Sequence, residues 1–311
     1  MIRPILALGG ITFVEVTRQP AYILIVALTM IGQALSPALA MFSFHQDSSL
    51  LMDFGVSTIS LSGLLLVAFG ATAVLGREFD SRVIHTVLSK PVGKGALLVA
   101  KWLGLVASLL VAGFLYTLVL LLAARQGPPS HAGHPWDGPV LVGGTSGLVL
   151  GLGAALVRSL RSSRPFGPLA TGRVAAGLSL GFLLAAAFDR EWRLQPFAAG
   201  FDPALPRAAV LALLGCGLLA AVAVLCSVLL RRGAFVGTVV VFLAGLAFGG
   251  RGTLTGAFLP DLKVFWAGDL VYEPAARLPW SYLAAAALYA LSYSLFCLGV
   301  GTWVLRRRQA L

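Results

Sequence analysis

Apolar residues fall along this chain in runs of about 20, interrupted by short polar stretches. Crossing roughly 30 Å of hydrocarbon takes about 20 such residues as a helix, because every backbone group must find its hydrogen bond internally where no water is present. Six runs qualify, at about 21–44, 54–75, 96–123, 208–230, 233–250 and 280–305. Two weaker runs lie at about 138–157 and 173–188. The second is short enough to be tilted, re-entrant or interfacial.

Ahead of the first span, residues 3–19 predict a further helix with Ile2, Ile5, Leu6, Phe13 and Val16 on one face. Thr12, Glu15, Arg18 and Gln19 fall mostly opposite, with Leu8 and Ile11 interrupting the polar side. Two readings fit: a helix lying along the membrane surface, or an extension of the first span. Residues 125–137, rich in Pro and Gly, read as a break. Residues 251–279 are too long for a simple turn and carry Leu259, Leu262, Val264, Phe265 and Trp266, which predicts short helices folding back toward the bilayer.

Composition agrees with this pattern. Of 311 residues, 58% are hydrophobic and 11% charged, with a mean hydropathy of +0.91, too few charges to cover the surface of a soluble domain. The chain reads as an all-α, polytopic integral membrane protein. With eight spans and an inside N-terminus, the inner loops hold 16 of the 23 basic residues but only three of the 12 acids, Glu15, Glu78 and Asp80. The positive-inside rule then places both termini in the cytoplasm. The basic pI calls for anionic inner-leaflet lipid as partner and not for nucleic acid. No cleavable signal is expected after Met1, and the absence of asparagine rules out glycosylation sequons. Cys216, Cys226 and Cys297 all sit within spans, which suits neither a disulfide framework nor a metal site.

Other chemistry is weakly signalled. "PVGKG" lacks the leading glycine and trailing hydroxyl of a phosphate loop, so ATP is not expected to bind here by that device. "GTSG" at 144–147 superficially matches an intramembrane serine-protease motif, but His45, His85, His131 and His134 all lie in loops, out of reach of the serine. His131, His134 and Asp137 in a Pro/Gly loop read as solvated polar residues before they read as a metal site. Gly143, Gly147 and Gly151 recur every fourth position, which predicts a flat helix face for close packing.

One charged stretch stands out, "GREFDSRVIHTVLSKPVGKG" at 76–95, on the inner side between the second and third spans. Phe79, Val83, Ile84, Val87 and Leu88 recur at helical spacing while Asp80, Arg82 and His85 face away, and Pro91 stops the helix. A short striped helix of this kind suits a groove in another protein, or the lipid surface.

"REFDSRVIHTVLSKPVGKGALLVAKWLG" resembles the loop after the second span in permease subunits of the ABC type 2 transporter family. "LALGGITFVEVTRQPAYILIV" is similar to the family's N-terminal elbow, "VLLRRGAFVGTVVVFLAGLAFG" to its junction between two late spans, and "FLPDLKVFWAGDLV" with the final helix to its outer loop and last span. Together these pieces cover about 1–124 and 205–311. The resemblance implies a single transmembrane permease domain over 1–311 with a six-span, type V exporter-like core. It implies a partner permease, either a second copy or a paralogue, and two cytoplasmic ATPase subunits that hold the ATP and magnesium. This chain would carry no cofactor, no metal and no catalytic residue of its own.

On the same resemblance, residues 77–90 form a coupling helix seated in the ATPase. Phe79, Val83 and Val87 are its packed anchors, and Glu78, Asp80, Arg82 and His85 its polar contacts. The elbow, 3–19, with Glu15 and Arg18, braces that interface. Residues 125–204 depart from the family as an insertion holding the two weaker spans. The implied function is ATP-driven export across a bacterial-type plasma membrane. The rivals are an ion-coupled secondary carrier, which the lack of ionisable groups at mid-span disfavours, and a non-transporting scaffold or assembly factor.

Overall fold

The computed structural model of the chain describes residues 2–40, 47–80, 93–127, 136–162, 166–197, 199–230, 233–250, 259–266 and 278–307. Nine helices account for most of these: α1 (Ile2–Thr17), α2 (Pro20–Ala40), α3 (Asp47–Asp80), α4 (Lys94–Gln126), α5 (Gly138–Arg161), α6 (Phe166–Ala187), α7 (Ala204–Leu230), α8 (Ala234–Phe248) and α9 (Trp280–Arg307). Among the described residues no strand forms beyond one isolated bridge, Phe188 to Leu194. Seven helices, α2 to α7 and α9, are long and apolar enough to cross a membrane, so this is a multi-pass helical membrane protein.

The spans differ from expectation in rank. The two weak candidates are complete helices of 24 and 22 residues, α5 and α6. The strong run at 233–250 gives only the 15 residues of α8, about 22 Å at 1.5 Å per residue. Glycine and threonine dilute the apolar count of α5 and α6, whereas Val and Phe crowd α8 until Gly249 and Gly250 end it. Gly250 sits at φ +69°, a left-handed conformation that cannot continue the helix.

A 3₁₀ turn, Leu262–Phe265, makes up the missing depth. A Cβ on Gly215 of α7 would lie 2.8 Å from the Phe265 side chain, and one on Gly245 of α8 would lie 2.7 Å from the Pro260 carbonyl oxygen. Gly215 is 11 residues into α7, so the turn sits inside the bundle and not above it. Irregular backbone at that depth survives only when protein groups satisfy it. Here two α9 tyrosines do so: Asp261 N–H donates to Tyr289 Oη at 2.8 Å, and Tyr282 Oη donates to the Val264 carbonyl at 2.7 Å. Lys263 N–H donates to the Asp261 carboxylate at 3.2 Å, which caps the turn. Tyr289→Phe is expected to cost about 1 kcal/mol in denaturant unfolding of the micelle-bound protein, with the helix content unchanged.

Helices α3, α4 and α7 form the core, and α7 is buried along most of its length. Helix α3 runs 34 residues without interruption, about 51 Å, well beyond a hydrocarbon layer of about 30 Å. Polar side chains inside the bundle bind across helices. Tyr22 Oη donates to the Ser108 carbonyl, Trp102 Nε1 to the Gly217 carbonyl, and Gln33 Nε2 to the Gly55 carbonyl and Thr58 Oγ1. Pro37 has no N–H to offer within α2, and Ser36 Oγ donates to the Gln33 carbonyl at 2.7 Å instead.

The α1 helix is separate from α2, broken at Arg18 and Gln19. It crosses α4 closely: a Cβ on Gly104 would lie 2.5 Å from the Thr12 side chain and 2.6 Å from the Gly9 carbonyl oxygen. Its buried ridge is therefore Gly9, Thr12, Val16 and Thr17, while Leu6, Ile11 and Val14 are exposed. The sequence pattern set Thr12 on the outward, polar face. The structure corrects this, because Thr12 donates its hydroxyl proton to the Leu8 carbonyl and so packs as a small apolar side chain.

Candidate functional site

One end of the bundle gathers the segments that the charge pattern assigned to a single side. Gly95, in the first turn of α4, lies against Thr302 near the end of α9, and Gly301 of α9 meets Leu98. Gly167, at the start of α6, lies against the Thr17 carbonyl and Arg18, and Gly9 of α1 meets the Ala100 carbonyl. The α1–α2 corner, the starts of α4 and α6 and the end of α9 thus share one end. So do Arg3, Arg18, Lys94, Lys101, Arg158, Arg161, Arg173, Arg306 and Arg307. The long spans make these helix ends neighbours in space while their sequence positions stay far apart.

The expected coupling residues divide at this end. Glu78, Phe79 and Asp80 belong to the last turn of α3, so the second span and the start of the charged stretch form one continuous rod. Arg82, Val83, His85 and Val87 lie outside the described residues, as do His45, His131 and His134. Glu15 and Arg18 are brought together: with Gly10, Ile11, Val14, Gln19 and Pro20 they line an open nook of about 760 Å³ at the α1–α2 corner. Lys101, expected near the membrane edge, is 5% exposed on α4.

The opposite end holds an arrangement that sequence reading missed. Arg125, in the last turn of α4, points its Nε at Asp137 Oδ2 at 3.0 Å, and its Nη2 donates to the Phe188 carbonyl at 2.6 Å. Its Nη1 donates to the Ala185 carbonyl, and the guanidinium stacks 5.4 Å from the Phe201 ring centre. Asp137 caps α5 by accepting from Val140 N–H at 3.2 Å, and its own N–H donates to Gln126 Oε1. Arg190 Nε lies 3.6 Å from the same carboxylate. Gln195 closes the end of α6, its N–H donating to the Ala187 carbonyl and its Nε2 to the Ala186 carbonyl. A buried guanidinium and carboxylate thus tie α4, α5, α6 and the 188–201 segment together. Asp137 is engaged by two arginines and a helix N-terminus, and among the described residues no group of His, Cys, Asp or Glu could hold a metal ion.

Between α2 and the α5–α6 hairpin lies an apolar groove of about 430 Å³ with α4 as its floor. The hairpin itself is a glycine zipper: a Cβ on Gly143 would lie 2.5 Å from the Gly181 carbonyl oxygen, and one on Gly151 would lie 2.7 Å from Val174 Cα. Gly147 and Gly177 make the same approach to each other between them. Ser146, on this helix, donates its hydroxyl to the Val142 carbonyl.

Compared with protein-family models, with curated proteins and with solved structures, the chain matches none.

Proposed function

We propose that this chain is the permease subunit of an ATP-driven ABC transporter, an exporter in a bacterial-type plasma membrane, worked by a separate cytoplasmic ATPase. The family resemblance of four ordered sequence pieces suggests it, and one structural observation carries it: the continuity of α3 into Asp80. A push applied at 77–90 would act on a rigid rod whose far half is packed in the core, and on α4, which begins at Lys94 and is buried along most of its length. Helix α1, wedged across α4 at Gly9 and Gly104, braces the same lever from the side. With the basic end inside, as the positive-inside rule has it, this lever faces the cytoplasm. Two ATPase copies and a second permease, identical or paralogous, complete the assembly in this reading. The permease contributes no covalent chemistry; it alternates between conformations whose populations the ATPase shifts.

Affinity purification of the intact protein from its native membrane tests this. The expected result is an ATPase that comes down with the wild type and whose hydrolysis depends on its presence. Val83→Asp, which would put a charge into an apolar docking groove, is expected to lose that ATPase by about tenfold or more while the permease still inserts. Recovery of a stable complex containing no ATPase would favour the scaffold reading instead.

A further inference from the structure

We infer that the groove between α2 and the α5–α6 hairpin is a binding site for one acyl chain of an anionic glycerophospholipid, its headgroup at the basic end of the bundle. On α2 the groove runs from Tyr22 to Pro37, 15 residues or about 22 Å, longer than one leaflet's share of a hydrocarbon layer of about 30 Å. Helix α2 packs on α3 and α4, and α5 packs on α6, so α2 and α5 face each other across a gap. Close-packed interiors hold few voids wider than a water, and a cleft this long between two lipid-facing helices needs an occupant.

Its lining says what kind. Polar groups along the groove bond within the protein, and Gln126 stands at its far end. Tyr22 donates to the Ser108 carbonyl, Thr145 to Leu141, Thr171 to Gly167, and Gln126 Oε1 accepts from Asp137 N–H. The occupant is therefore apolar along its length. Its shape argues for a chain: the groove is a long slot, about 22 Å along α2, walled by α2 and α5 over an α4 floor.

Charge fixes which way round the lipid lies. Gly167 lines the lower end of the groove, and Arg18 Cα lies 3.6 Å from where its Cβ would stand. Arg158, Arg161 and Arg173 are exposed at the same end of α5 and α6, where the acids among the described residues are Glu15 and, in the last turn of α3, Glu78 and Asp80. At the other end Arg125 and Asp137 neutralise each other. Basic collars beside apolar clefts select anionic headgroups, each cation contributing a factor of about five. The site does not depend on the transport reading, and its failure would leave the ATPase experiment untouched.

Native mass spectrometry of the purified full chain, titrated with dioleoyl phosphatidylglycerol or dioleoyl phosphatidylcholine, reads the site directly. One phosphatidylglycerol is expected to be retained at concentrations where phosphatidylcholine is retained about 25-fold less, as two cations would give. Arg18→Gln should narrow that preference about fivefold, one cation's share. Ala27→Trp with Thr145→Leu, which fills the groove, should abolish retention. On the wild type, phosphatidylglycerol with a photoactivatable acyl chain should label peptides of α2 and α5 well above those of α9. Equal retention of the two lipids, retention by the filled variant, labelling spread evenly onto α9, or capture of another protein or a second copy by Ala27→Cys would each overturn the proposal.

Discussion

Gly147→Leu is expected to spring the α5–α6 hairpin apart. A leucine there meets the Gly177 backbone, which cannot step aside as a flexible side chain could. Overpacking against backbone should cost about 3 kcal/mol or more, and in a bilayer no hydrophobic gain returns when the helices separate, since lipid is as apolar as leucine. Denaturant unfolding in micelles measures the loss. Gly153 provides the control on the same helix: nothing lies within 4 Å of a Cβ at that position, so Gly153→Leu should change stability by less than about 0.5 kcal/mol. Equal effects at the two glycines would mean that helix propensity, and not the zipper, sets the outcome.

Arg125→Ala should be nearly as damaging. It strands the buried Asp137 carboxylate and unbinds the Ala185 and Phe188 carbonyls at the end of α6, and breaking one side of a buried ion pair typically costs about 3–5 kcal/mol. Arg190 is close to the same carboxylate, but at 3.6 Å and with 43% of its side chain exposed it is placed to compensate only in part. Arg125→Lys should rescue little, because an ammonium cannot reproduce a fork that reaches a carboxylate and two carbonyls together. Replacing both partners, Arg125→Leu with Asp137→Ser to keep a cap, should lose less than Arg125→Ala alone. A double variant worse than the single one would show that the charges contribute more than their mutual neutralisation.

Much of this architecture was legible in the pattern of apolar runs, because a bilayer leaves the chain few options at each one. Gly143, Gly147 and Gly151 announced a flat face by spacing alone; that its partner is α6 could not be read, since Gly177 and Gly181 are only two glycines among 36. The Thr12 face was misread because periodicity counts hydroxyls as polar, whereas a threonine bonded to its own helix packs like a small hydrophobe. Arg125 and Asp137 flank a loop where charges are ordinarily solvated, and nothing in their spacing distinguishes a buried pair from two exposed ions. Helix α8 was overestimated for a related reason: hydropathy measures how much an environment suits lipid, not how far a helix reaches before Gly250 turns it. The residues expected to dock an ATPase were found by resemblance, and from Arg82 to Val87 they lie outside the described residues.

The part-length α8 bears on how the protein can be handled. It starts beside the end of α7, yet α9 begins level with the start of α7, where Arg207 Nη1 donates to the Leu278 carbonyl and stacks on Trp280. With α8 counted beside the seven longer helices, the positive-inside reading expects both ends of the chain on one side. Reporter halves fused ahead of Ile2 and behind Arg307 should accordingly meet in one compartment and reassemble on a single molecule.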